Sequence, residues 1–165
     1  MQYTNKDIKK GVSKIIRDIN VSDWEPDYIV GLTRGGLVPA AMLSYYFNLP
    51  MHALNVSFRD SEVGPESNLW MPEDAIGGTF TPQKQILIVD DINDSGKTLL
   101  WIKEDWQSSV NAGNLSWSDV WHKNVRFATL VNNTESDFTV DYSGFEVNKK
   151  EDPSWIIFPW ERWWY

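Results

Sequence analysis

The side chains best suited to chemistry cluster between positions 90 and 98: Asp90, Asp91, Asp94, Ser95, Gly96, Lys97 and Thr98. They follow Ile86-Leu87-Ile88-Val89, a short continuous apolar run that reads as a strand buried on both faces, as in a parallel sheet covered by helices. From Leu99 to about Ser109 the pattern is helical. The order is therefore strand, acidic turn, small-residue loop and helix, the place where α/β sheets bind ligands. Free backbone N–H groups at the helix start attract a dianionic phosphate, and the Ser95 and Thr98 hydroxyls add donors. Gly96 lets the backbone approach without a Cβ in the way. Asp90 and Asp91 would repel a phosphate that they faced. They belong beside it, accepting hydrogen bonds from sugar hydroxyls or holding Mg²⁺, which takes carboxylate and water oxygens. Asp94 is then placed to act as a general base or to stabilise developing positive charge.

Two other readings of this stretch fail. Ser95-Gly-Lys-Thr98 suggests the phosphate loop of nucleotide hydrolases, but that loop needs a glycine five residues before its second glycine, and Asp91 stands there. An acidic turn that merely caps a helix needs one carboxylate rather than three. The apolar strand, the two acids and the Asp94-Ser95-Gly96 and Thr98 positions together resemble the 5-phosphoribosyl 1-diphosphate (PRPP) signature of the type I phosphoribosyltransferases. That resemblance implies that Asp90 and Asp91 hold the ribose hydroxyls and Mg²⁺, partly through water. It makes Asp94 the catalytic proton acceptor near the base, and it gives the 5′-phosphate to Ser95, Gly96, Lys97 and Thr98.

The rest of the chain must position this stretch. Its 165 residues suffice for one domain, 1–165, with a good-sized core. The formal charge is −8, from 15 basic and 23 acidic residues, with no basic block, so non-specific nucleic-acid binding is not expected. With no cysteine there are no disulfides or thiolate zinc sites. No signal-like segment and no long apolar run appears, and a soluble, cytoplasmic protein without a membrane partner is expected. Ten tryptophans are unusual for this length, and four fall between positions 155 and 165.

Taken in order, residues 4–19 read as an amphipathic helix opened by a Thr4–Asp7 capping box, with Ile8, Val12, Ile15, Ile16 and Ile19 on one face. Tyr28 to Leu32 reads as the first strand. Thr33-Arg34-Gly35-Gly36 and an apolar helix from about Leu37 to Phe47 follow. Two glycines and an Arg fork at a strand-to-helix turn bring donors near an anion. In context Arg34, Gly35 and Gly36 resemble the family's pyrophosphate loop, in the form found in its 6-oxopurine branch, where a non-proline cis peptide would join Thr33 to Arg34. Met51 to Phe58 alternates as a second strand. Arg59 to Gln83, with three prolines and three glycines, reads as a long loop, which the resemblance makes a mobile flap over the reaction centre. There Ser57 and Phe58 stand at a serine–aromatic pair, and Arg59 is a weak pyrophosphate candidate. Residues 110–124 read as an insertion with a short helix begun by Ser116. Trp117 and Trp121 share one face as packing residues, and His52 and His122 have no metal-ligand company.

Arg126 to Val131 reads as the next strand. Residues 143–165 are expected to form a base-binding hood, with Trp155-Ile156-Ile157-Phe158-Pro159-Trp160-Glu161 as the second point of resemblance. There the resemblance gives Trp155 the stacking contact with the purine, Ile156 a backbone contact and Glu161 the reading of the base edge. Aromatic stacking on a base is worth ~1–3 kcal/mol and tolerates base identity. One position departs: the 6-oxopurine enzymes follow this strand with a lysine that donates to the 6-oxygen, and here Asn133 stands in that register. An amide both donates and accepts, so the choice between an oxo and an amino group stays open.

The expectation is an α/β type I phosphoribosyltransferase fold: a mostly parallel five-stranded sheet flanked by helices, with a small C-terminal hood. The resemblance implies a reaction that transfers phosphoribose from PRPP to a purine base, a 6-oxopurine (xanthine, guanine or hypoxanthine), giving pyrophosphate and a nucleoside monophosphate, with Mg²⁺ as cofactor. The expected assembly is a homodimer or homotetramer. Transfer to adenine or a pyrimidine, or a non-catalytic PRPP- or nucleotide-sensing role, are the alternatives.

Overall fold

The computed structural model describes residues 1–56, 68–113 and 115–165. Five strands form one parallel sheet in the order β2-β1-β3-β4-β5. They are β1 (Tyr28–Leu32), β2 (Met51–Leu54), β3 (Ile86–Asn93), β4 (Val125–Asn133) and β5 (Tyr142–Val147). Every pairing is parallel, where a mostly parallel sheet was expected. The helices are α1 (Asn5–Val21), α2 (Leu37–Phe47), α3 (Trp70–Ile76) and α4 (Lys97–Ser109). None of them is long and apolar enough to cross a membrane, among the described residues.

Alternation along the strands sends the apolar side chains to two cores. Ile29, Leu87, Val89, Ala128 and Leu130 face α1 and α2, meeting Ile8, Val12, Ile15, Ile19, Ala40 and Leu43. Tyr28, Val30, Leu32, Ile86, Ile88 and Phe127 face α3 and α4, meeting Met71, Ala75, Ile76, Leu99, Ile102 and Trp106. A strand buried on both faces needs apolar residues at every position, which is what Ile86–Val89 supplies. α1 begins where the Thr4–Asp7 pair places it: the Thr4 hydroxyl accepts from the Asp7 N–H, and the Asp7 carboxylate accepts from the Thr4 N–H at 2.8 Å.

Three expectations need correction. β2 stops at Leu54 rather than Phe58, because β1 ends at Leu32 and offers no further ladder partners. Ser57, Phe58 and Arg59 lie outside the described residues. The stretch given to a flap contains α3, whose Met71, Pro72, Ala75 and Ile76 are buried. Pro72 sits in its first turn, where a missing N–H costs nothing. The hood is smaller than 143–165, since 142–147 form the edge strand β5. Within 110–124, Ser116 caps a 3-10 turn, Trp117–Asp119. Trp117 stacks on Trp121 at 5.4 Å, and Trp121 in turn meets Trp106 at 5.8 Å, so these rings pack the core as expected.

Trp106 is 1% exposed and anchors α4 and the insertion on the sheet. Trp106→Ala should cost about 3–5 kcal/mol, read as a lower urea midpoint with an unchanged slope.

Candidate active site

Strand order reverses between β1 and β3, and loops leaving the C-terminal ends of such strands bound a crevice. The loop after β1, Thr33–Gly36, and the loop after β3, Asp94–Gly96, line one cleft of about 1170 Å³. Arg34, Gly35, Asp90, Asp91, Asp94, Ser95, Gly96, Lys97, Thr98, Trp155, Ile156 and Glu161 all border it. Twelve of the fourteen residues singled out from the sequence therefore meet in one place; Gly36 and Asn133 do not reach its surface.

The close approach of the two loops explains the glycines. A Cβ on Gly35 would land on the Asp91 carboxylate, and one on Gly36 would press on the Val89 and Leu32 carbonyl oxygens. Gly36 is thus a buried spacer between β1 and β3 rather than a residue of the cleft wall. The Thr33–Arg34 peptide is cis, as the resemblance implied. Gly96 adopts φ +88° at the start of α4, a conformation open to glycine, and a Cβ there would meet the backbone of Phe138. Gly96 brings no capping side chain, and the Lys97 N–H makes only a long 3.4 Å contact to the Ser95 hydroxyl. The first-turn amides of α4 thus remain available to an anion. The 134–138 loop backs this turn, with the Asp137 N–H donating to the Ser95 carbonyl at 3.2 Å. Asn93 donates to the Phe138 carbonyl at 2.7 Å.

β3 runs through Asp90 and Asp91 instead of ending before them, so both carboxylates are held by the sheet ladder. Enclosure by protein raises the proton affinity of each. Asp90 is pushed well above the usual carboxylate range by that enclosure and by the charge of Asp91. Asp91 is pushed up to about 6 by enclosure, with Glu161 adding repulsion, while hydrogen bonds from Asp90 and the Ile92 N–H pull the other way. Asp94, on the turn, keeps 44% side-chain exposure.

The opposite wall comes from the segment after β5. Tyr3 donates its N–H to the Ile157 carbonyl at 2.9 Å, tying this segment to the chain before α1. The Glu161 carboxylate accepts from the Phe158 N–H at 2.6 Å and so fixes the turn around Pro159. It faces the cleft while serving as a cap, which the sequence reading did not foresee. Trp155 stands 60% exposed at the rim. Phe158 and Trp160, stacked at 4.8 Å, lie behind it.

Asn133 corrects the sequence reading. It is 7% exposed, and both ends of its amide are committed to backbone. Its Nδ2 donates to the Asp94 carbonyl at 3.0 Å, and its Oδ1 accepts from the N–H groups of Lys149 (3.1 Å) and Glu135 (3.2 Å). Lys149, which the sequence did not single out, reaches into the cleft. Its ammonium lies 3.8 Å from Asp94 Oδ2 and 5.9 Å from the centroid of the Trp155 ring. Nothing in Asn148-Lys149-Lys150 distinguishes that lysine from its neighbour until the fold turns one inward and leaves the other exposed.

Comparison with known proteins agrees with this geometry. The family model described as "Phosphoribosyl transferase domain" matches residues 2–164. A xanthine-guanine phosphoribosyltransferase from Cereibacter sphaeroides is 31% identical over 135 residues, 81% of this chain and 68% of the relative. A hypoxanthine-guanine phosphoribosyltransferase from Schizosaccharomyces pombe is 23% identical, across 98% of this chain and 88% of its own length. Among solved structures, a purine phosphoribosyltransferase from Pyrococcus horikoshii superposes with a TM-score of 0.67 at 23% identity, covering 98% of this chain and 94% of that one. A match that runs almost from end to end, on a chain whose β3 loop and β1 loop share one cleft, makes this protein a member of the phosphoribosyl transferase domain family.

Proposed function

We propose that this chain transfers the 5-phosphoribosyl group of PRPP to a ring nitrogen of a 6-oxopurine, xanthine, guanine or hypoxanthine, releasing pyrophosphate and the nucleoside monophosphate. The observation that carries this reading is the meeting, in one cleft, of the α4 amides, the Asp90–Asp91 pair and the Arg34 loop with an exposed Trp155 opposite. The names of the curated relatives support the choice of purine.

In this reading the 5′-phosphate lies on the amides and hydroxyls of Ser95–Thr98, at the positive end of the α4 dipole. Asp90 and Asp91 accept from the ribose 2′- and 3′-hydroxyls. Arg34 and the backbone of Gly35 hold the pyrophosphate. The purine stacks on Trp155 with its attacking nitrogen toward Asp94. The C1′–oxygen bond to pyrophosphate breaks as the nitrogen bonds to C1′, through a sugar with oxocarbenium character. The carboxylates below the ring stabilise that positive charge, and Asp94 accepts the proton leaving the purine nitrogen.

Asp90 and Asp91 also suit Mg²⁺. Adjacent enclosed carboxylates repel one another, and a divalent cation relieves that repulsion. No group of three or more metal-ligating side chains gathers among the described residues. Mg²⁺ needs only one or two protein carboxylates, with water and substrate phosphate filling its shell. When bound, Mg²⁺ supplies charge neutralisation to the leaving pyrophosphate.

Three outcomes are expected. In isothermal titration, the Asp90→Asn, Asp91→Asn double variant should lose Mg²⁺-dependent PRPP binding; binding at full strength would contradict these roles. Asp94→Asn should lower kcat by ~10²–10⁴-fold, the usual worth of a general base, while PRPP binding in the same titration changes little. The third concerns pH. Because the folded protein raises the Asp91 value to about 6, the unfolded chain ionises this carboxyl first, and the native state loses stability as pH rises from the ordinary carboxylate range to about 6, with no further loss above it. Asp91→Asn should therefore lose less stability than the native chain between pH ~4 and ~7, by about 1 kcal/mol after solvent screening. Parallel unfolding curves across that range would refute the shift.

A further inference from the structure

The exposed Trp155 and the carboxylate of Asp94 flank the place that the proposed function gives to the base, and Lys149 is the cation between them. Its side chain is 17% exposed, with the ammonium 3.8 Å from Asp94 Oδ2 and 5.9 Å from the Trp155 ring centroid. Its backbone is held by Asn133, whose amide bonds the Lys149 N–H on one side and the Asp94 carbonyl on the other. One buried side chain thus sets the spacing between two groups that border the base position. Asn133 is 7% exposed and does not reach the cleft surface, so it does not itself read a base.

We propose that Lys149 is the residue that selects an oxo over an amino group at the purine's 6-position, and that Asn133 is the positioning residue that places it. An ammonium carries three donors and no acceptor. A base stacked on Trp155 with a ring nitrogen toward Asp94 presents an exocyclic group on the same side to that ammonium, which lies 3.8 Å from the carboxylate. An exocyclic carbonyl oxygen there accepts a charge-assisted hydrogen bond. An exocyclic amino group has no lone pair to offer and leaves the ammonium facing two hydrogens. The pairing with Asp94 keeps Lys149 in place before the base arrives, so little ordering is required on binding. This inference rests on the proposed transfer reaction and names the group that sets its base preference.

The test compares hypoxanthine with adenine, which differ at the 6-position, using labelled PRPP and the full chain. For the native chain hypoxanthine should be the better acceptor. Lys149→Met should lower kcat/KM for hypoxanthine by about 10- to 100-fold, the worth of one hydrogen bond to a charged group. Adenine should change by less than about 3-fold, so the preference collapses, and Lys149→Arg, which keeps donors, should restore part of it. PRPP affinity by titration should be unaltered in both variants. Asn133→Ala should lower hypoxanthine transfer in the native background and add little to Lys149→Met, since it acts through the same group. If Lys149→Met lowers both bases equally, or leaves the ratio as in the native chain, the inference is wrong while the transfer reaction stands. If the native chain binds PRPP yet transfers to neither base nor to guanine or xanthine, the reaction itself is wrong.

Discussion

The burial of β3 governs the rest of the molecule. Ile86, Leu87, Ile88 and Val89 are without solvent exposure, two pointing to each core, and β3 is hydrogen-bonded on both sides. A slip of one residue would exchange the faces of every side chain, so the register is fixed. Asp90 and Asp91 are held where that strand reaches the crevice, and their charge can be neither withdrawn nor fully solvated. The same enclosure that stabilises the sheet raises their proton affinity. In the proposed function, ligand hydroxyls and a cation relieve this pair, and that reading couples stability to binding.

Each wall of the cleft is attached to this strand by a distinct device. The Arg34 loop is drawn close by Gly35 and Gly36, where no side chain keeps it from Asp91 and the Val89 carbonyl. The Asp94–Gly96 loop is turned by the left-handed Gly96 and backed by the loop after β4. The wall carrying Trp155 is joined through Asn133 to Asp94 and through Ile157 to Tyr3. The chain carries a net charge of −8, yet Arg34, Lys97 and Lys149 gather at this cleft. Asp90, Asp91, Asp94 and Glu161 border the same cleft, so it presents both signs of charge side by side rather than a uniformly positive field.

What the sequence disclosed was whatever depends on neighbours in the chain. The run from Ile86 to Leu100 carries strand, turn glycine and helix start within fifteen positions, and the fold follows it closely. Arg34–Gly36 and Trp155–Glu161 were legible for the same reason. The errors fell where long-range contacts decide. α3 was hidden because Pro72 and the flanking glycines read as a loop, although a first-turn proline is harmless to a helix. β5 was taken for part of the hood because Tyr142–Val147 has one sheet partner and a mixed pattern. Asn133 was placed at the base by register alone, whereas burial turned its amide to the backbone. Lys149 was invisible because its role depends on a contact between two segments sixteen residues apart.

The most direct test of the account is a crystal structure with guanosine 5′-monophosphate bound. The account predicts the 5′-phosphate on the Ser95–Thr98 amides, the ribose hydroxyls within hydrogen-bond distance of Asp90 and Asp91, and the base stacked on Trp155. A nucleotide seated elsewhere, or one with its phosphate turned away from the start of α4, would contradict it.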